Sequence, residues 1–394
     1  MASSSSPLRT AFAGLIAMAA VMGIGRFVYT PILPYMADTV PLSESQAGLI
    51  AAANFLGYLV GSLAVGTGFL SGNRRTWAIW ALVFSVATTG AMALTVSIPA
   101  FLFLRFVGGA CSALVMVFGS ALVFDRLTAA GRPNLAHIHF AGVGTGMAVS
   151  AVIVAGLGSL AIGWTGQWLA SALAGLIALI LVVILLPAGD GDTAPAATGA
   201  SGKIDRRMIP LSLSYGLFGF GYVITATFIS VLVRQTPSIA AIEPVIWLIV
   251  GLAAIPSVAL WAWIGRRLGN PASIALACLV EAAGVAATVL FESAAAVLIG
   301  GALLGGTFMG ITAVGMTAAR ELALISGSGD PRRMLGLIVA AFGAGQMIGP
   351  AYGGYIAGLT GSFTIPSLTA SAALVVAAGL AMLVRTERPN SSSG

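Results

Sequence analysis

Charge is the scarcest commodity in this 394-residue chain: only 8% of residues are Asp, Glu, Lys or Arg, and 12 of them are acidic. A water-facing globule carries roughly 25% charged residues, so a soluble fold of this size is excluded and the outer surface must face lipid. Two cysteines, Cys111 and Cys278, both inside apolar stretches, exclude a disulfide framework. Two histidines, His137 and His139, and no His/Glu/Cys cluster leave nothing to build a membrane metalloenzyme. No Gly-x-x-x-x-Gly-Lys-Ser/Thr element is present, which excludes an ATP-driven pump of the P-loop type. No cofactor is expected.

What is abundant is apolar sequence, 58% of residues, with a mean hydropathy of +1.02. A spanning helix needs about 20 predominantly apolar residues. Six such stretches fill the first half: Ala11–Tyr35, Gln46–Leu70, Trp77–Val96, Pro99–Phe124, Ala136–Ile162 and Gly166–Leu186. Six more fill the second: Met208–Val233, Pro244–Ile264, Ala272–Leu290, Ala294–Ala318, Met334–Ala357 and Ser362–Val384. The fold class is therefore an all-α membrane protein of twelve transmembrane helices in two six-helix bundles. The expected organisation is a disordered tail (1–10), a first bundle (11–187), a linker (188–207), a second bundle (208–385) and a short tail (386–394).

Orientation follows from the basic residues, which favour the cytoplasmic side. With the N-terminus inside, fifteen Lys and Arg fall on the cytoplasmic side and Arg234 alone on the other; Arg26 and Arg105 lie within spans. The net charge of +6 is thus topological, not a nucleic-acid footprint, and both termini are expected in the cytoplasm of a bacterial inner-membrane, multi-pass protein.

The halves read as copies. Gly23-Ile24-Gly25-Arg26 matches Gly219-Phe220-Gly221-Tyr222, Gly108-Gly109 matches Gly305-Gly306, Gly142 and Gly144 match Gly343 and Gly345, and Arg74-Arg75 match Arg266-Arg267. A shared order at near-constant offset marks an internal repeat of the kind transporters are built from. The bland reading of the glycines, close helix packing in lipid, applies to Gly142, Gly146, Gly349, Gly353 and Gly354, and it suits two bundles that rock on each other.

These features resemble the major facilitator superfamily over essentially the whole chain. Arg105-Phe-Val-Gly108-Gly109 is similar to the family's span 4 Arg-x-x-x-Gly pattern. Gly349-Pro350-Ala-Tyr-Gly353-Gly354 in span 11 is similar to an element the family more often carries in span 5. The loop Gly68-Phe-Leu70-Ser-Gly72-Asn73-Arg74-Arg75 lacks the family's Asp. Gly25-Arg26-Phe27-Val-Tyr29-Thr-Pro31-Ile-Leu-Pro34 with Asn54-Phe-Leu-Gly57-Tyr58 further resembles the YbfB/YjiJ-like branch. The resemblance implies a secondary transporter working by alternating access, with spans 1, 2, 7 and 11 among those lining the central cavity; it implies no enzyme activity and a monomer.

Arg26 sits too deep in its span to reach the interface, and a charge there is costly unless it meets water or a partner. No acid lies mid-span on an expected cavity wall, so Arg26 is expected to bind an anionic, carboxylate-type solute through its bidentate fork. Tyr29, Asn54, Tyr58, Tyr215, Tyr222 and Gln346 are expected to supply hydrogen bonds around it, with interhelical bonds as the bland alternative for each. Arg105 is a candidate for coupling, since the resemblance implies that role in proton-linked members; the alternative is a charge bonded to backbone carbonyls. Glu281, the only acid in mid-membrane, is a candidate proton carrier, and Asp125 and Glu321, in the dipeptides Asp125-Arg126 and Arg320-Glu321, are candidates for an ion-pair gate. The expected partners are a small-molecule solute, membrane lipid and protons, without nucleic acid. The competing function is proton-coupled efflux of a drug or amphipathic metabolite.

Overall fold

The computed structural model describes residues 6–66, 70, 72–186, 188, 193–194, 205–325 and 331–384. Among the described residues, twelve helices are long and apolar enough to cross a membrane. Spans 1 to 6 are Pro7–Ala37, Glu44–Gly66, Arg74–Leu94, Ile98–Ala129, Pro133–Ser159 and Trp164–Leu185. Spans 7 to 12 are Met208–Gln235, Ala240–Leu268, Asn270–Leu290, Ala294–Ile325, Met334–Thr360 and Thr364–Met382. Span 1 starts at Pro7, whose missing N–H costs nothing in a first turn, so Pro7–Thr10 belong to the helix and not to a disordered tail. The rest of the expected tails, and most of the expected linker, lie outside the described residues; Thr193-Ala194 of the linker pair antiparallel with Asn73 and Gly72.

Polar backbone in lipid must be satisfied within its own helix, and that rule bends only where neighbours supply partners. Span 1 bends most. It runs as α-helix over Pro7–Met18, widens to a π-helix over Ala19–Ile24, turns through residues 25–28 and resumes as α-helix at Tyr29–Ala37. Pro31 lacks the N–H that would close a turn on Phe27, and the Thr30 N–H goes to the Phe27 carbonyl at 3.2 Å, so the Arg26 carbonyl loses its helical donor. The break falls at the residue whose charge most needs neighbours.

The two halves meet mainly through span 2 against span 11 and span 5 against span 8, with span 1 against span 7 between them. Thr30 Oγ1 donates to the Ala226 carbonyl at 2.8 Å, and Arg234 bonds Asp38; both pairs are separated by 196 residues, the offset that relates Gly23 to Gly219. Spans 1 and 7 therefore touch at equivalent positions along an approximate two-fold axis. On the side of the bundle opposite the linker, further contacts join these spans and their neighbours. The Arg234 guanidinium lies 4.4 Å from the Tyr35 ring, the Phe228 and Phe363 rings meet at 4.9 Å, and a cavity of about 30 Å³ lies beside Ser43, Glu44 and Gln235.

Glycine is required at the span 2–span 11 crossing. A Cβ on Gly48 would overlap the Pro350 carbonyl, and one on Gly354 would overlap the Glu44 carbonyl. The remaining glycines of the packing set serve span 1 and span 7: Gly142 and Gly146 lie against Leu15 and Ala19, Gly349 and Gly353 against Val223 and Ile224. Gly354→Val should force this side apart. A thiol placed at the cavity by Gln235→Cys, the two native cysteines being buried, is expected to react faster with a membrane-impermeant maleimide when Gly354→Val is added; equal rates would show that the crossing does not hold the seal.

Candidate functional site

Arg26 is carried into the centre of the bundle by the break in span 1 and is 3% exposed. Moving an ion of this size out of water costs several kcal/mol even after relaxation, so its neighbours must replace the lost hydration. Its Nη2 donates to Gln346 Oε1 of span 11 at 2.9 Å, and Gln346 Nε2 donates in turn to the Tyr222 hydroxyl of span 7. Its guanidinium carbon lies 4.3 Å from the Tyr58 ring centroid, 4.5 Å from that of Phe55 and 5.6 Å from that of Phe27. Cation–π contacts of this kind contribute about 0.5–2 kcal/mol each when desolvated. Every partner is neutral, and the Arg26 Nε has no hydrogen-bond partner. The structure thus brings Arg26, Tyr58, Tyr222 and Gln346 into one cluster joining both halves.

Other residues expected in the site have different occupations. Arg105 Nη1 and Nη2 donate to the carbonyls of Gly25 at 2.9 Å and Arg26 at 2.7 Å. Its fork closes the backbone that the span 1 break leaves open, which is the backbone-bonded alternative. Asn54 Nδ2 donates to the Arg105 carbonyl at 2.9 Å, because the face bearing Gly57 and Gly61 packs on span 4, while its Oδ1 is buried without a hydrogen-bond partner. Tyr29 donates to the Ala47 carbonyl at 3.0 Å while its ring lies 5.2 Å from Arg105. Tyr215 donates to the Thr312 carbonyl at 2.7 Å and packs on Phe342. Asn54 and Arg105 hold the shape in which Arg26 is presented.

The expected ion-pair gate takes another form. Arg74 bonds Asp125 at 2.8 Å, and Asn270 Nδ2 donates to Glu321 at 2.7 Å; each pair spans 51 residues and stays within its own half. Asn270, not Arg266, is thus the partner of Arg74 in the repeat, and these contacts fasten span 3 to span 4 and span 9 to span 10. Across the halves Arg234 of span 7 pairs with Asp38, just past the end of span 1. His139 is buried within the first half with its Nε2 2.8 Å from Ser120 Oγ. Asp205, outside the spans, is held below the usual carboxylate range by the guanidinium of Arg207.

Glu281 is fully buried, and neither carboxyl oxygen has a hydrogen-bond partner. Thr307 lies within reach, but its hydroxyl proton goes to the Leu303 and Leu304 carbonyls at 2.7 and 3.1 Å. Its titratable neighbours are Cys278 on its own helix and Tyr222.

The profile of the family described as "Uncharacterised MFS-type transporter YbfB" matches residues 18–382. The chain belongs to that family. It is a multi-pass membrane transporter of the major facilitator superfamily and not an enzyme. No curated protein matches the chain in sequence. Solved transporters share its fold. A crystal structure of the nucleoside transporter NupG aligns at TM-score 0.70 and 14% identity, covering 96% of this chain and 98% of that one. An inward-facing, occupied bacterial homologue of the human lysosomal transporter Spinster aligns at 0.71 and 15%, covering 96% and 97%. The human organic anion transporter TETRAN aligns at 0.64 and 15%, covering 95% and 99%. At these identities the likeness is one of fold.

Sequence reasoning missed Trp247 of span 8. Its ring lies 6.3 Å from Phe27 and its buried indole N–H has no acceptor; no motif marks it. For Arg105, the two charge-assisted bonds to the span 1 carbonyls are each of the class that contributes about 1.5–3 kcal/mol. Lysine at that position can reach one carbonyl but not grip both. Arg105→Lys is therefore expected to lower the melting temperature of the purified transporter, whereas Arg132→Lys, on an exposed turn, should leave it unchanged. Equal melting temperatures for Arg105→Lys and wild type would contradict the bracing role.

Proposed function

We propose that this transporter carries a small organic anion of the carboxylate type across the bacterial inner membrane, its two halves rocking about Arg26. The observation that carries the reading is the company Arg26 keeps: a buried cation at the junction of the halves, held by an amide and three ring faces, with no carboxylate against it among the described residues. An amide is a weak substitute for an anion. A solute carboxylate offers two charged oxygens to the same fork and releases Gln346, which also frees Tyr222. Binding at Arg26 is thereby felt in spans 7 and 11, and both lie at the interface that must move.

Glu281 is the proton carrier in this reading. An ionised carboxylate without a partner is very costly in a dry interior, so Glu281 is charged only when water or a cation reaches it. Tyr222 links that event to Arg26 through Gln346. Arg105 acts by holding the break in span 1, and the Arg234–Asp38 pair closes the side that the charge asymmetry places outside.

The test is uptake of labelled mono- and dicarboxylates into proteoliposomes, with and without an imposed pH gradient. Arg26→Ala should abolish uptake, and Arg26→Lys should leave only a small fraction. Anion uptake that survives Arg26→Ala would sink the assignment. Glu281→Gln should remove the stimulation by the pH gradient while leaving exchange of internal for external anion intact; a gradient response unchanged by the substitution would exclude Glu281. The competing reading, proton-coupled efflux of an amphipathic compound, is favoured by the rings around the site. Failure of every anion together with dye efflux that ignores Arg26 would establish it.

A further inference from the structure

The rings around Arg26 come from both halves and form one connected surface. Phe27 of span 1 lies edge-on to Phe308 of span 10, with centroids 6.0 Å apart, and against Trp247 of span 8 at 6.3 Å. Phe308 is stacked on Tyr222 at 5.5 Å with only 12° between the planes. All four side chains are buried. Phe27 follows Arg26 directly, so any parting of the halves draws Phe27 away from Phe308 and Trp247 and uncovers ring faces beside the guanidinium.

A purely apolar seal would account for phenylalanine at these places. It does not account for Trp247, whose indole N–H is buried and has no acceptor, nor for the unpartnered Nε of Arg26. Buried donors are nearly always satisfied. Two orphaned donors around one set of ring faces describe a ligand with acceptors at two points and a flat apolar body between them.

We propose that the solute is a planar aromatic carboxylate, with its carboxylate on Arg26, its ring against Phe27, Tyr222 and Phe308, and a second acceptor taking the N–H of Trp247. This rests on the anion-transport reading and names its substrate class. Flat rings are preferred because offset and edge contacts among aromatic faces exceed what area alone provides.

The test compares benzoate with cyclohexanecarboxylate, equal in charge and close in size, and 4-acetylbenzoate with 4-isopropylbenzoate, which differ in the second acceptor. Uptake into proteoliposomes and thermal stabilisation of the purified wild-type protein are both read, so the ranking needs no variant. Benzoate should be bound at least about tenfold more tightly than cyclohexanecarboxylate, and the acetyl compound more tightly than the isopropyl one. Trp247→Phe, which keeps a ring and removes the N–H, should erase the second preference and keep the first. Equal or better handling of the cyclohexane acid, with uptake still dependent on Arg26, overturns the aromatic assignment and leaves anion transport standing. Movement of no anion at all removes both.

Discussion

A guanidinium in the middle of a membrane bundle needs a counter-charge, or enough oriented dipoles and ring faces to stand in for water. Arg26 has only the second kind of support, and much of the structure around it follows from supplying it. Span 1 must break to turn the side chain inward, and the break frees backbone carbonyls. Arg105 takes two of them, Asn54 fixes Arg105's own backbone, and the close approach of spans 2 and 4 that this requires is set by small residues at Gly57 and Gly109. Two buried arginines thus occupy adjacent places with different partners: one has both terminal nitrogens on backbone carbonyls of its own half, the other reaches an amide of the opposite half.

Approximate two-fold symmetry organises the contacts around this centre. The contacts between spans 1 and 7 join residues at equivalent positions of the repeat, Thr30 with Ala226 and Asp38 with Arg234. Within each half, Arg74–Asp125 and Asn270–Glu321 make the same brace at the same spacing. These contacts inside a half are therefore duplicated, and the span 1–span 7 contacts between halves lie along the axis, flanked by the crossings of span 2 on span 11 and span 5 on span 8. Gln346 and Tyr222 belong to the second half and Arg26 to the first, so the Arg26–Gln346 bond joins the two halves.

The twelve spans were legible in the sequence because long apolar runs and basic loops are signals of composition. The repeat was legible in span 1 and span 7, where the offset of 196 recurs in real contacts, and misleading after span 2, where Arg74 pairs by dipeptide with Arg266 but by geometry with Asn270. Arg26, Tyr58, Tyr222 and Gln346 could be gathered because each is a polar group in an apolar span. Asn54 is equally polar, and whether its amide faces a solute or a neighbouring backbone depends on a rotation of the helix that periodicity in a uniformly apolar span does not define. Trp247 was invisible for the opposite reason: a tryptophan near the end of a span resembles an interfacial anchor, and only its buried, unpartnered N–H distinguishes it.

The central claim is that Arg26 exchanges an amide for a solute carboxylate, and the nitrogen resonances of arginine report that exchange directly. With arginine-selective labelling, the Nε signal identified by its loss in Arg26→Lys should shift on addition of benzoate and saturate, because this N–H has no acceptor in the structure. A signal that stays in place while the protein transports the anion would contradict the account.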